Sequence, residues 1–286
     1  MTLVAAVGGD HAGRERISEL VAVGVRCTVR AHPGTVTGSV VVLSSAHERT
    51  MITDRGAALL LDPADVTAAV KAAPGATHLH LSGYPLLHAG SRPAGRAALA
   101  AAAERGLTTS VDVASAEPLR QLGAPAFLDL VRGTDLLLCN SDEAEVLAGA
   151  GTAREQAAQL TAYARNVVVK LGSDGAVWCT RDGVTRSVAA ARVPVLDPTG
   201  AGDAFAAEPA HRVVFRRGAG RRAGRRHRAR RGGSADPRCA ADPLGLGVSS
   251  RARRSPLGSA FSSRARRRWC GARSPRRTQT PGPVAG

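Results

Sequence analysis

The chain has 286 residues, is 44% apolar, and carries a formal charge of +16 that is unevenly placed: residues 207–286 hold 21 Arg and three acidic groups, whereas residues 1–206 hold 18 basic and 20 acidic side chains. No apolar run approaches the length of a membrane-spanning helix, and the start, MTLVAAVGGD, lacks the basic region of a secretory signal. The five cysteines are odd in number, scattered, and form no C-x-x-C pair, which excludes a disulfide framework or a zinc site and makes a reducing cytoplasm the expectation.

Taken in chain order, short β-branched runs alternate with helical patterns. LVAAV (3–7) predicts a strand and GRERISELVAVG (13–24) a helix that stops at Gly24. VRCTVRA (25–31), TGSVVVLSS (37–45) and ERTMITD (48–54) follow as three strands with no helix between them. That grouping predicts a small antiparallel flap over about 25–54. Asp62-Pro63 opens a helix with proline at its first position. THLHLSG (77–83), LTTSVDV (107–113) and TDLLLCN (134–140) are strands, with an Ala-rich helix over 93–106 between the first two. SDEAEVLAG (141–149) predicts a short helix with Ser141 as its N-cap. Residues 152–166 predict another, opened by a capping box of Thr152 and Glu155. NVVVKLG (166–172) and AVWCT (176–180) make a hairpin across a Ser-Asp-Gly turn. The alternation from about 77 to 205 predicts an α/β domain with a mostly parallel sheet and helices on both faces.

After Phe205 the order stops. Arg, Gly, Pro, Ala and Ser dominate, with neither helical nor strand periodicity. Such a segment cannot bury enough apolar surface to offset its ordering entropy, so 207–286 is expected to be disordered. Lys, Asn, Ile and Tyr are absent from it. GC-rich codons read out of frame would give that mixture, and the tail is read as out-of-frame translation of a GC-rich gene.

The chemistry-bearing stretch is Asp197-Pro198-Thr199-Gly200-Ala201-Gly202-Asp203. Glycines free the backbone to turn tightly and present N–H groups to an anion. A helix N-terminus at that point favours phosphate. Asp203 falls in the first turn, where a carboxylate can take a proton from an attacking hydroxyl. A glycine-rich turn capped by an aspartate is the plainer alternative. His78 and His80 share one strand face; an H-x-H pair can bind metal, but no third ligand stands at a suitable spacing, so a structural role is preferred.

The ordered set NSDE (140–143), KLGSDG (170–175) and DPTGAGD (197–203) resembles the ribokinase-like, PfkB-type carbohydrate kinases. VGGDHAGRERISELVAVGV (7–25), TGSVVVL (37–43), ERTMITDRGA (48–57) and SVDVASAEPL (110–119) extend the likeness over about residues 3–206. The resemblance implies a ribokinase-like three-layer sandwich with a β flap, and ATP-dependent phosphorylation of a sugar or sugar-like alcohol with Mg²⁺. It implies that Asp203 is the catalytic base, with Gly200, Ala201 and Gly202 as the anion hole. Lys170, Gly172, Gly175 and Thr199 would lie along the nucleotide. Asn140 and Glu143 would organise Mg²⁺ through water; helix capping is the alternative for that pair. It further implies a small-molecule sugar substrate and a homodimer through the flap.

Two departures bear on this copy. Family members place a strand, a Gly-Gly motif and a helix ahead of the segment that opens here. They also extend the helix begun by GAGD, which Glu208-Pro209 interrupts in this sequence. Both predict a weakened site. Two other readings follow from the basic tail: non-specific nucleic-acid binding through its arginines, and an unfolded pseudogene product.

Overall fold

The computed structural model describes residues 1–44, 49–191 and 200–207. The chain opens with strand β1 (Thr2–Gly8), helix α1 (His11–Ala22) and strand β2 (Arg26–His32). A hairpin follows, β3 (Thr37–Ser44) and β4 (Arg49–Gly56), then a 3-10 turn and helix α2 (Pro63–Ala72). The remainder is β5 (His78–Ser82), α3 (Tyr84–Leu87), α4 (Arg92–Glu104), β6 (Thr108–Asp112), α5 (Ala116–Leu122), α6 (Ala124–Leu130), β7 (Leu136–Asn140), α7 (Ser141–Ala148), α8 (Ala153–Leu160), β8 (Asn166–Lys170), β9 (Ala176–Thr180) and β10 (Thr185–Val188). Residues 201–207 are helical.

The main sheet has the order β10-β9-β8-β7-β6-β5. Strands β5 to β8 run parallel, and β9 and β10 are antiparallel additions at one edge. Strands β7 and β8 read as near-continuous apolar runs because both faces of the sheet are covered there. Register assigns the two faces. Leu81, Val111, Leu137, Val167 and Val177 point to one side and pack with Val66, Leu119, Phe127 and Leu160 from the helices α2 to α8. Leu136, Leu138, Val168 and Trp178 point to the other and pack with Ala206 and Phe205 of the 201–207 helix. This is the α/β architecture with a mostly parallel sheet that the sequence predicts. Among the described residues, the layer on this second face is the 201–207 helix.

One expectation is corrected. Residues 26–32 do not join an antiparallel flap; β2 pairs in parallel with β1 in a two-stranded sheet, with α1 as the crossover. The antiparallel element is the β3–β4 hairpin alone. It is tied to the β1–α1 junction by Asp10. That side chain caps α1 by accepting from the Gly13 amide at 2.8 Å, and it accepts from Thr37 N at 2.7 Å and Thr37 Oγ1 at 2.6 Å. Gly8 lies so close to Thr35 and Thr37 that a Cβ there would collide with their backbone. The three hydrogen bonds pull the Asp10 carboxyl down to about 2.

Helix α7 is capped by Asn140, with Ser141 already inside the helix. Strand register explains the one-residue shift, since Asn140 ends β7 in extended backbone and is placed to start the turn. Thr152 and Glu155 form the expected capping box at α8. The readings on Thr199 and on the tail from 208 onward, nucleic-acid binding included, lie outside the described residues. No described helix is long and apolar enough to cross a membrane.

Candidate active site

The carboxyl ends of β5 to β8 form one rim, the location where open α/β sheets bind ligands. Ser82, Asp112, Asn140 and Lys170 are the last residues of those strands. Asn140 and Lys170 are register partners. The rim is polar because all four strands end on a polar residue.

Lys170 Nζ reaches across β7 to Asp112 Oδ2 at 2.7 Å. The same ammonium lies 3.6 Å from the place a Cβ would take on Gly202. The start of the 201–207 helix is therefore seated directly over the Lys170–Asp112 pair. Gly200 takes a positive φ of 79° before the helix, and the Ala204 amide donates to its carbonyl at 2.9 Å. Ala201, Gly202 and Asp203 are exposed at that mouth. The structure thus brings Lys170, Gly200, Ala201, Gly202 and Asp203 together.

Asn140 and Glu143 are bonded to each other. Asn140 Oδ1 accepts from the Glu143 amide at 2.9 Å. The Glu143 carboxylate accepts from the Asn140 amide at 2.8 Å and from Asn140 Nδ2 at 3.0 Å. This is a capping box, so helix capping is one role the pair has. Glu143 is nearly fully buried, and burial pushes its carboxyl above the usual range, against the lowering effect of the Asn140 amide. Asp112 raises it further. Burial also pushes up the neighbouring Cys139 thiol.

Among the described residues no three His, Cys, Asp or Glu side chains converge in a metal cage. Mg²⁺ keeps most of its waters and is held chiefly by phosphate oxygens, so its binding does not call for such a cage. Two bonds do not exhaust the lone pairs of the Glu143 carboxylate, and a cation nearby would offset its crowding with Asp112. The oxygens that the Asn140–Glu143 pair leaves over are of a kind that suits the waters of a Mg²⁺ ion.

Gly172 and Gly175 shape the β8–β9 turn, where the Leu171 amide donates to the Gly175 carbonyl at 2.8 Å. Gly175 has φ 101°, and a Cβ there would collide with the Val188 carbonyl of β10. The turn is thus glycine-dependent for packing as well as for its place beside Lys170.

Asp112 as the partner of Lys170 was not read from the sequence, and His80 was weighed there only as half of an H-x-H pair with a structural role. His78 and His80 face the same side as Ser110 and Asp112, and their nitrogens bond to Thr108 and Ser110 hydroxyls. The signal was present as matched polar positions, H-L-H-L-S on β5 and T-T-S-V-D on β6.

A model of the pfkB family of carbohydrate kinases matches residues 1–208. The chain belongs to this family. Solved PfkB-type and related kinases share its fold. The adenosine kinase from Sinorhizobium meliloti superposes with a TM-score of 0.66 at 24% identity, covering 74% of this chain and 64% of its own. A protein described as ribokinase II from E. coli, in complex with ATP and Mg²⁺, gives 0.65 at 25% identity, over 76% of this chain and 70% of its own. A PfkB protein from Polaromonas sp. JS666 gives 0.60 at 26% identity, over 75% and 72%. This PfkB family chain therefore spans roughly two thirds of the length of these structural relatives.

Proposed function

We propose that this chain is an ATP-dependent kinase for the hydroxyl of a sugar or sugar-like alcohol, acting in the cytoplasm. The observation that carries the reading is the seating of Gly202, with Asp203 next to it in the same helical turn, against Lys170 of the Lys170–Asp112 pair at the carboxyl rim of the sheet. In the proposed reaction Asp203 takes the proton of the acceptor hydroxyl. The freed oxygen forms a bond to the γ-phosphorus of ATP, and the bond from that phosphorus to the β,γ-bridging oxygen breaks, releasing ADP. Backbone N–H groups of Gly200, Ala201 and Gly202 stabilise the charge on the transferring group. Lys170 adds positive charge beside them, and Asp112 fixes its position. Thr199, Gly172 and Gly175 would line the nucleotide. Asn140 and Glu143 would hold the waters of Mg²⁺, which neutralises phosphate charge when bound. The E. coli relative solved with ATP and Mg²⁺ supports that choice of cofactors.

The test is direct. The full chain is titrated with Mg·ATP, and ADP release is followed with D-ribose, D-fructose and adenosine as acceptors. Acceptor-dependent ADP release that D203N abolishes supports the reading. A chain that does not bind ATP in the presence of Mg²⁺ overturns it.

The β3–β4 hairpin supports a proposal about assembly. Val40, Val41, Val42, Leu43, Met51 and Ile52 are each about half exposed, on both faces of the ribbon. An apolar two-stranded ribbon is marginal alone in water. We propose that one face closes over the acceptor and the other pairs with a second copy.

A further inference from the structure

A chain of hydrogen bonds on the site face fixes the protonation of two histidines. The Thr108 hydroxyl donates to the Thr77 carbonyl at 3.1 Å, and a carbonyl can only accept. A hydroxyl has one hydrogen, so Thr108 Oγ1 must accept from His78 Nδ1, 2.7 Å away. His78 is neutral near pH 7 because burial pushes it down to about 4. Its Nε2 therefore lacks a hydrogen and accepts from Ser110 Oγ at 2.8 Å. Ser110 has then spent its hydrogen and must accept from His80 Nδ1, also at 2.8 Å. The sequence of donors leaves His80 with hydrogen on Nδ1 and a bare Nε2.

That Nε2 has no hydrogen-bond partner among the described residues, and the His80 side chain is exposed. Enough protein surrounds the ring for burial to lower its basicity, in the direction of the neutral form. Asp112 and Asp203 oppose that lowering and Lys170 assists it, so all three lie within electrostatic reach. His78 is the other titratable group facing the ring. His80 sits on β5, the edge strand on the far side of Asp112 from the Lys170–Gly175 turn. With the nucleotide along that turn, the β5 side of Asp112, where His80 stands, is the side left for the acceptor.

We infer that His80 is a specificity residue of this kinase site, whose unprotonated Nε2 accepts a hydrogen bond from a hydroxyl of the alcohol substrate. This rests on the kinase reading above. A fixed acceptor selects a ligand that donates at that point, because an analogue without the hydroxyl leaves the nitrogen unpaired. The imidazole does so without adding charge next to Lys170.

The experiment uses the full chain in two measurements. Long-range proton–nitrogen correlation on ¹⁵N-histidine protein, with H80Q for assignment, reads the tautomer. Calorimetric titration with D-ribose, with adenosine, and separately with Mg·ATP, is made on wild type, H80L and H80Q. The expected results are an Nδ1-protonated His80 and probe binding weakened roughly tenfold in H80L, the size of one hydrogen bond. H80Q, whose amide oxygen still accepts, recovers most of that binding, and Mg·ATP binding is the same in all three. An Nε2-protonated ring, H80L binding the probes as wild type does, or a wild type that binds Mg·ATP but neither probe would each overturn the role of His80 alone. A wild type that fails to bind Mg·ATP overturns the kinase reading and this inference with it.

Discussion

Lys170 Nζ stands 2.7 Å from Asp112 Oδ2, joining β8 to β6 across the strand between them, with side chains only 16% and 12% exposed. A pair this withdrawn from water is costly to break from one side, because the remaining charge is left without its partner. D112A is expected to lower stability by about 3 kcal/mol, the low end for a buried pair because the rim is partly solvated. The double variant D112L/K170M should cost less than D112A alone. Urea unfolding midpoints, with the slope checked for constancy, decide between the outcomes. If the double variant is the less stable, the pair is not the source of the loss.

Asp203 is exposed at the mouth of the helix, so its removal should disturb chemistry and not folding. D203N is expected to reduce turnover about 10³-fold, the range of a lost general base. Its melting temperature and Mg·ATP affinity should stay those of wild type. Equal turnover in D203N would assign the proton transfer to another group.

Much of this arrangement was legible in the sequence, for reasons that can be named. The parallel strands declare themselves because β7 and β8 are buried on both faces and read L-L-L-C-N and N-V-V-V-K. Thr152 and Glu155 were readable because a capping box is a local pattern. The pairing of β2 was not, since partner choice depends on where the α1 crossover returns the chain and leaves no mark within β2 itself. Asp112 and Lys170 are 58 residues apart. Their meeting follows from strand order, a property of the whole sheet. The serine between two histidines is likewise visible only once β5 and β6 are set in register.

Asp10 carries a pH prediction. Its carboxyl is held near 2 by Thr37 and the Gly13 amide, below its value in an unfolded chain, roughly 3.9. A depressed carboxylate contributes stability above its unfolded pKa and loses it as pH falls through the folded one. Its share is therefore present above about pH 4 and lost toward pH 2. D10N should flatten the acid limb of a stability–pH curve in that window. It should also speed amide exchange at Thr37, whose N–H bonds to Asp10.

Glu143 acts with the opposite sign. Its carboxyl is raised by burial, so its contribution is fully present below the unfolded value near 4.3 and is lost as pH rises through the higher folded one. E143Q keeps an acceptor for the Asn140 amide and removes the titration. Stability of E143Q should fall less than that of wild type as pH rises above about 4. Parallel curves for the two proteins would mean that Glu143 is not raised.

The hairpin offers a prediction that separates its two faces. Val41 and Ile52 are register partners on one face, and Val42 and Met51 are partners on the other. Arg55 alternates with Thr53 and Met51 along β4, and its guanidinium lies 4.0 Å over the Tyr84 ring, just past the end of β5. The Val42–Met51 face is thus the one turned toward the site, and the Val41–Ile52 face is turned away. V41E/I52E should halve the molar mass seen by light scattering while leaving acceptor KM within about twofold, since surface charges away from a site change little there. V42E/M51E should keep the mass of wild type and raise acceptor KM, because a charged lid face closes poorly over the substrate and admits water. If both pairs change mass alike, the ribbon packs through its edge and neither face is a lid. If neither does, the exposed valines cover nothing in a second copy, and the assembly proposal fails while the kinase site is untouched.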